Sequence, residues 1–187
     1  MRSATGPSGG ATPAGQARRL TALGRFSHES AAVVVVTGAG RAFCAGGDVA
    51  SMAAETEFVE PTLEGRARTL REAMDCARVL HDMPKPTIAM VRGAAAGAGL
   101  SIALSCDLRV ASANARFVTA FKEVAYSGDF GGSYFLTHLV GPSKAKELYF
   151  LSERLDAEQA LKIGIVNVVA EDAGLEEKTM AIAARLA

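Results

Sequence analysis

The chain has 187 residues, 49% hydrophobic and 21% charged, enough for one domain with a substantial core. Lys+Arg and Asp+Glu both count 20, so the net charge is zero and offers no general attraction to nucleic acid or to an anionic membrane. No apolar run approaches the roughly 20 residues of a spanning helix. Cys44, Cys76 and Cys106 are odd in number and lack metal-ligand spacing, as expected of reduced thiols in a cytoplasmic protein.

Residues 1–28 hold Arg2, Arg18, Arg19 and Arg25 and no acid, in a stretch rich in Gly, Pro, Ser and Ala. The apolar core of a secretory signal is missing, and Gly and Pro break the amphipathic helix of an organelle transit peptide. The segment reads as a disordered or atypical leader over 1–29, ahead of a folded core over 30–187. That core opens with a β-branched run at 33–37, expected to be a strand buried on both faces. A Gly-rich loop at 38–47 follows, then a short helix capped by Asp48 and a charged surface loop over 55–62.

Leu63, Ala67, Leu70, Met74, Ala77 and Leu80 recur at three- and four-residue steps, which predicts an amphipathic helix over 62–83 ended by Lys85-Pro86. Residues 87–91 make a second buried strand, followed by a second Gly-rich turn at 93–99, a small-residue helix over 100–105 and a third strand over 107–111. A fourth strand is expected over 115–121. Helices over 131–140 and 143–151 flank Gly141-Pro142, a short helix over 157–163 stops at Gly164, a last strand covers 165–169, and another helix begins near Leu175. Alternating strands and helices argue for an α/β domain with crossover connections.

The run Thr37-Gly38-Ala39-Gly40 invites a dinucleotide-binding reading, but the third glycine position of that fingerprint holds Phe43. Two glycine-rich turns, each between a buried strand and a helix, are the better signal. Both present unobstructed backbone amides where a helix dipole also favours negative charge. Two such amides on one oxygen make an oxyanion hole, each donor being worth about 3–4 kcal/mol in the transition state. The alternative is that these glycines only permit tight turns and close packing.

Three segments carry a resemblance: Arg41-Ala42-Phe43-Cys44-Ala45-Gly46-Gly47-Asp48-Val49, then Lys85-Pro86 through Gly93-Ala94-Ala95-Ala96-Gly97-Ala98-Gly99, then Ser105-Cys106-Asp107-Leu108-Arg109-Val110-Ala111. In order and separation they resemble the enoyl-CoA hydratase/isomerase (crotonase) superfamily, over about residues 30–187. The resemblance implies an α/β spiral of ββα units that binds acyl-CoA thioesters and holds their enolate between two main-chain amides. By position those donors are the N–H groups of Gly47 and Ala98, and Ala45, Gly47, Asp48, Val49 and Ala98 line the CoA and thioester site. CoA enters as part of the substrate, so no separate cofactor and no metal is expected.

Hydratase members carry two carboxylates, at positions that hold Ser101 and Phe121 here. Glu123 shares the face of Phe121 if that segment is extended, which would restore one acid; otherwise it forms a solvated pair with Lys122. Asp129, in Tyr126-Ser127-Gly128-Asp129-Phe130-Gly131-Gly132, stands where several family isomerases carry their catalytic carboxylate, and where a dehalogenase branch carries a nucleophile. The resemblance thus implies a one-base isomerase with Asp129 as proton shuttle, its pKa raised by apolar neighbours such as Phe130. The plainer reading makes Asp129 the N-cap of the helix near Gly131. Ser101 follows Ala98 by one helical turn and is expected mainly to pack. His28, His81 and His138 are isolated and read as structural.

Residues 1–28 do not match the strand and Arg-Pro turn with which family members begin. The sequence ends at Ala187, short of the C-terminal helices that cap the site and build the family's homotrimer or hexamer. Hydration of an enoyl thioester, or a non-catalytic relative that only binds CoA or a partner, remain the alternative readings.

Overall fold

The computed structural model of the chain describes residues 31–47 and 60–187. The expected leader, the helix capped by Asp48, and most of the 55–62 loop lie outside the described residues.

Four parallel strands form the first sheet, in the order β1 (Val34–Thr37), β2 (Thr87–Val91), β4 (Leu108–Ser112) and β7 (Val168–Ala170). A second, smaller sheet runs β3 (Ala94–Ala96), β5 (Arg116–Val118) and β6 (Leu155–Asp156), with β3 and β5 parallel and β5 and β6 antiparallel. Cys44 extends it on the free edge of β3: Cys44 N donates to Ala94 O and Ala96 N to Cys44 O, both at 3.0 Å. Each circuit of the chain therefore lays one strand in each sheet and then forms a helix. After β2 and β3 comes α2 (Ala98–Ser105), and after β4 and β5 comes α3 (Gly132–Leu151). This is the expected spiral of ββα units.

The long helix α1 (Leu63–Asp82) starts where Thr62 Oγ1 accepts the Gly65 amide at 3.0 Å, and it stops at Met83, just before Pro84. α3 is kinked at Gly141 (φ 78°), ahead of Pro142, which splits it as the sequence indicates. The short α4 (Ala157–Lys162) opens on a reciprocal cap: Gln159 N donates to Asp156 Oδ1, and Asp156 N to Gln159 Oε1. The last helix, α5 (Leu175–Leu186), packs Leu175 and Ala183 against Ile88 and Val110 on one face of the first sheet. A larger core of mostly small residues fills the space among both sheets, α1, α2 and α3.

Two polar pins hold successive circuits in register. Asp107 Oδ2 accepts both the amide (2.7 Å) and the hydroxyl (2.8 Å) of fully buried Thr87, joining the starts of β2 and β4. Arg109 is buried in β4, and its guanidinium donates to the carbonyls of Cys106, Asp107 and Ile165. Burial lowers its pKa, and the carbonyl dipoles offset part of the cost of desolvating the charge.

Several expectations are corrected. β1 is an edge strand among the described residues, with only Val34 fully buried, because no strand pairs on its outer side. Leu63 (85% exposed) and Ala67 lie on turns of α1 that precede its buried stretch; contact with the core begins near Leu70. The fourth strand ends at Val118, since Ala120 takes a left-handed conformation (φ 61°) and a 3₁₀ turn occupies Phe121–Val124. The last strand begins only at Val168; Ile165 and Val166 form a buried turn whose amides both reach Ala160 O. β3 and β6 escape a sequence reading, one hidden in a glycine-rich run and the other only two residues long.

Candidate functional site

The two glycine-rich turns meet. Cys44 lies alongside β3, which carries the first turn toward the start of α2. Gly46 has φ +92°, and a Cβ there would stand 2.9 Å from Ala96 O and 3.7 Å from Ala98 N. Gly99 is as tight: a Cβ would stand 2.6 Å from that of Cys44. Glycine is required at both places because backbone occupies the space a side chain would need.

Ala98 is the first residue of α2, behind the N-cap Gly97 (φ 51°). Ser101 N makes the first bond of the helix, to Gly97 O at 3.0 Å. The amides before it have no helical acceptor, and no acidic side chain occupies the first turn, so this end of α2 favours an incoming negative oxygen. Of the other expected site residues, Gly47 is half-buried directly after Gly46 and Ala45 is exposed at the rim. Asp48 and Val49 lie outside the described residues.

Ser101 is buried, donates to Gly97 O, and packs against Gly132, where a Cβ would stand 3.1 Å from that of Ser101. Its role is helix packing. Phe121 is buried and stacks on Tyr149, with centroids 6.0 Å apart and planes at 4°. Glu123 does not share that face: the 3₁₀ turn leaves it exposed, 3.9 Å from Lys122 Nζ. The extended-register reading that would make Glu123 a site carboxylate is therefore overturned.

Asp129 lies in a turn with three positive φ values nearby, at Gly128 (114°), Phe130 (49°) and Gly131 (71°). A left-handed phenylalanine costs of order 1–3 kcal/mol. The side chain of Asp129 does not cap α3. The N-cap is Gly131 with no side-chain bond, and the Asp129 carbonyl accepts from Gly132 N at 3.0 Å. The carboxylate is half-buried, with Oδ1 buried, next to the buried ring of Phe130. Through Gly132 and Ser101 the start of α3 abuts the first turn of α2.

No motif or periodicity marks Tyr149. It lies far along α3, beyond the kink, and only the fold brings its hydroxyl against Gly128 and Gly132. Burial, and then the charge of Asp129, push its pKa up to about 12. His81 and His138 are exposed and pack on aromatic rings of α3, consistent with structural roles. No group of His, Cys, Asp or Glu suited to a metal occurs among the described residues. A separate surface cavity of about 580 Å³, floored by Ala94, Ala96 and Val118 on the outer face of the second sheet, contains none of the expected site residues. No described helix is long and apolar enough to cross a membrane.

Residues 18–187 match the family model described as enoyl-CoA hydratase/isomerase. The chain is 37% identical over 166 residues to a short-chain-enoyl-CoA hydratase of Clostridium acetobutylicum, covering 88% of this chain and 61% of that one. It is 36% identical over 159 residues to the 1,2-epoxyphenylacetyl-CoA isomerase of Escherichia coli, covering 82% and 58%. The crystal structure of an enoyl-CoA hydratase from a Polaromonas species superposes with a TM-score of 0.83 at 35% identity, covering 91% of this chain and 66% of that one. The chain thus spans about three-fifths of the length of the curated relatives it matches.

Proposed function

Since the chain belongs to the enoyl-CoA hydratase/isomerase family, we propose that it binds acyl-CoA thioesters and shifts a double bond along the acyl chain through a thioester enolate. The observation that carries the isomerase reading is the fate of the acids. Ser101 packs between helices, Phe121 is an aromatic ring and Glu123 is in solvent, which leaves Asp129 as the candidate acid among the described residues. Water addition needs a base for the water and an acid for carbon, whereas isomerisation needs one group that takes a proton and returns it.

In this mechanism the thioester oxygen of a 3-enoyl-CoA lies between the amides of Gly47 and Ala98. Asp129 removes a proton from C2, and the electron pair moves into the carbonyl to give a dienolate whose oxygen the two amides hold. The protonated Asp129 then delivers that proton to C4, so the double bond passes from C3=C4 to C2=C3 and the enzyme returns to its starting state. Ala45, which is exposed, takes the CoA portion together with Asp48 and Val49, assigned by their place in the motif. CoA arrives with the substrate, so no separate cofactor takes part. The three cysteines fit a reducing cytoplasm, and assembly as a homotrimer or hexamer would follow the family.

The test is product analysis after incubation with trans-3-hexenoyl-CoA and with crotonyl-CoA. Conversion of the first to the 2-enoyl thioester, with no 3-hydroxyacyl product from the second, supports the isomerase. Rapid hydration of crotonyl-CoA would favour the second reading, a hydratase, which the name of the Clostridium relative supports. Tight acyl-CoA binding without turnover of either substrate would favour a non-catalytic role.

A further inference from the structure

One half-buried phenol beside the proposed base has no part in the mechanism above. Thr119 Oγ1 donates to Leu148 O at 2.9 Å, and Ala120 N donates to Ser152 Oγ at 3.2 Å. These bonds tie the end of α3 to the turn after β5 and set Tyr149 parallel to Phe121. With its ring clamped, the phenol directs its hydroxyl into the 128–132 turn. That oxygen lies 3.3 Å from where a Cβ of Gly128 would stand and 2.8 Å from where a Cβ of Gly132 would stand. Asp129 is held between these two glycines.

We propose that Tyr149 is a positioning residue for Asp129: its hydroxyl, seated between Gly128 and Gly132, faces the carboxylate and stabilises its ionised form. The inference rests on the reading of Asp129 as the base. A carboxylate with a buried oxygen beside Phe130 loses hydration, and a phenol O–H is a donor that offsets that loss. Favouring the charged form keeps the base competent before the proton is taken. The two departures from the hydratase pattern serve the same arrangement. Phe121 supplies the ring that clamps Tyr149, and Ser101 packs against Gly132 on the other side, filling the space a side chain there would need. With its pKa near 12, the phenol stays protonated and remains a donor through the neutral range.

The other titratable groups on the packed elements are placed differently. α2 carries none; Lys122 and Glu123 are exposed and face each other. On α3, Tyr134 and His138 are exposed and pack on each other, Lys144 pairs with Glu147 at 2.7 Å, and Lys146 is exposed.

Tyr149→Phe keeps the ring and its stacking and removes only the hydroxyl. With trans-3-hexenoyl-CoA the expected result is a kcat about tenfold lower at pH 7, a KM within about twofold, and an acid limb of the kcat/KM profile displaced to higher pH. An unchanged kcat and profile overturns the proposal. A reciprocal measurement needs no turnover and covers a variant that fails to fold. Protein labelled with 3-fluorotyrosine is titrated by fluorine NMR, with and without Asp129→Asn. Loss of the charge should move the Tyr149 titration to lower pH. Identical titrations overturn the contact even where Asp129 is the base, whereas an Asp129→Asn variant that keeps turnover overturns the catalytic reading and the positioning role with it.

Discussion

Gly46→Ala tests whether the two turns depend on each other. The new Cβ would stand 2.9 Å from Ala96 O, closer than real Cβ atoms come to atoms beyond their chain neighbours, on a residue whose φ of +92° an L side chain rarely adopts. The backbone conformation alone costs of order 1–3 kcal/mol, and relief of the contact by a backbone shift adds about 1 kcal/mol or more. Together they come to roughly 2–4 kcal/mol, or about 5–15 °C in Tm for a domain of this size. The shift must separate Gly46 from Ala96 and so carries Gly47 away from Ala98. Turnover should therefore fall further than the lost stability explains when assayed well below the new Tm. Thermal unfolding measured beside isomerase turnover checks both parts. A variant with wild-type Tm and wild-type kcat would refute the close approach of the turns.

Ala98→Pro removes one amide at the first position of α2, where proline suits the helix; turnover should drop roughly 100- to 1,000-fold with little loss of helicity by circular dichroism. Thr87→Val strips exposed Asp107 of one donor to its carboxylate and of the acceptor of its amide, and denaturant titration should show a loss of about 1–2 kcal/mol. Glu123→Gln breaks only an exposed pair, so stability should change by less than about 0.5 kcal/mol and turnover should hold. Burial pushes the Cys106 thiol up to about 12, so it stays protonated at pH 8, and an exposed-thiol reagent should modify half-buried Cys44 first and reach Cys76 and Cys106 only after denaturation.

The parallel sheet was legible because its strands are marked by continuous apolar runs. Residues 87–91 read as a buried strand and form β2 with those bounds. α1 and the kinked α3 followed from periodicity and from Gly141-Pro142. The second sheet was not legible: Ala94–Ala96 has no alternation or branching to mark a strand, and it pairs only because β5 and Cys44 flank it. Position 121 misled for a related reason. Residues 115–121 have strand-like composition, but left-handed Ala120 turns the chain, and that single conformation moves Glu123 from a shared face into water. Gly47, Ala98 and Asp129 are candidates through their motif positions. Tyr149 is not, because α3 brings it to the 128–132 turn only through the bonds from Thr119 and Ala120.

The central claim, that one carboxylate carries the proton, is tested most directly by Asp129→Asn. The side chain makes no cap on α3, and the amide keeps its shape, so Tm should stay within a few degrees of wild type. Turnover of trans-3-hexenoyl-CoA should fall by around 100- to 10,000-fold, with acyl-CoA binding retained. A folded Asn variant that isomerises at the wild-type rate would contradict the account.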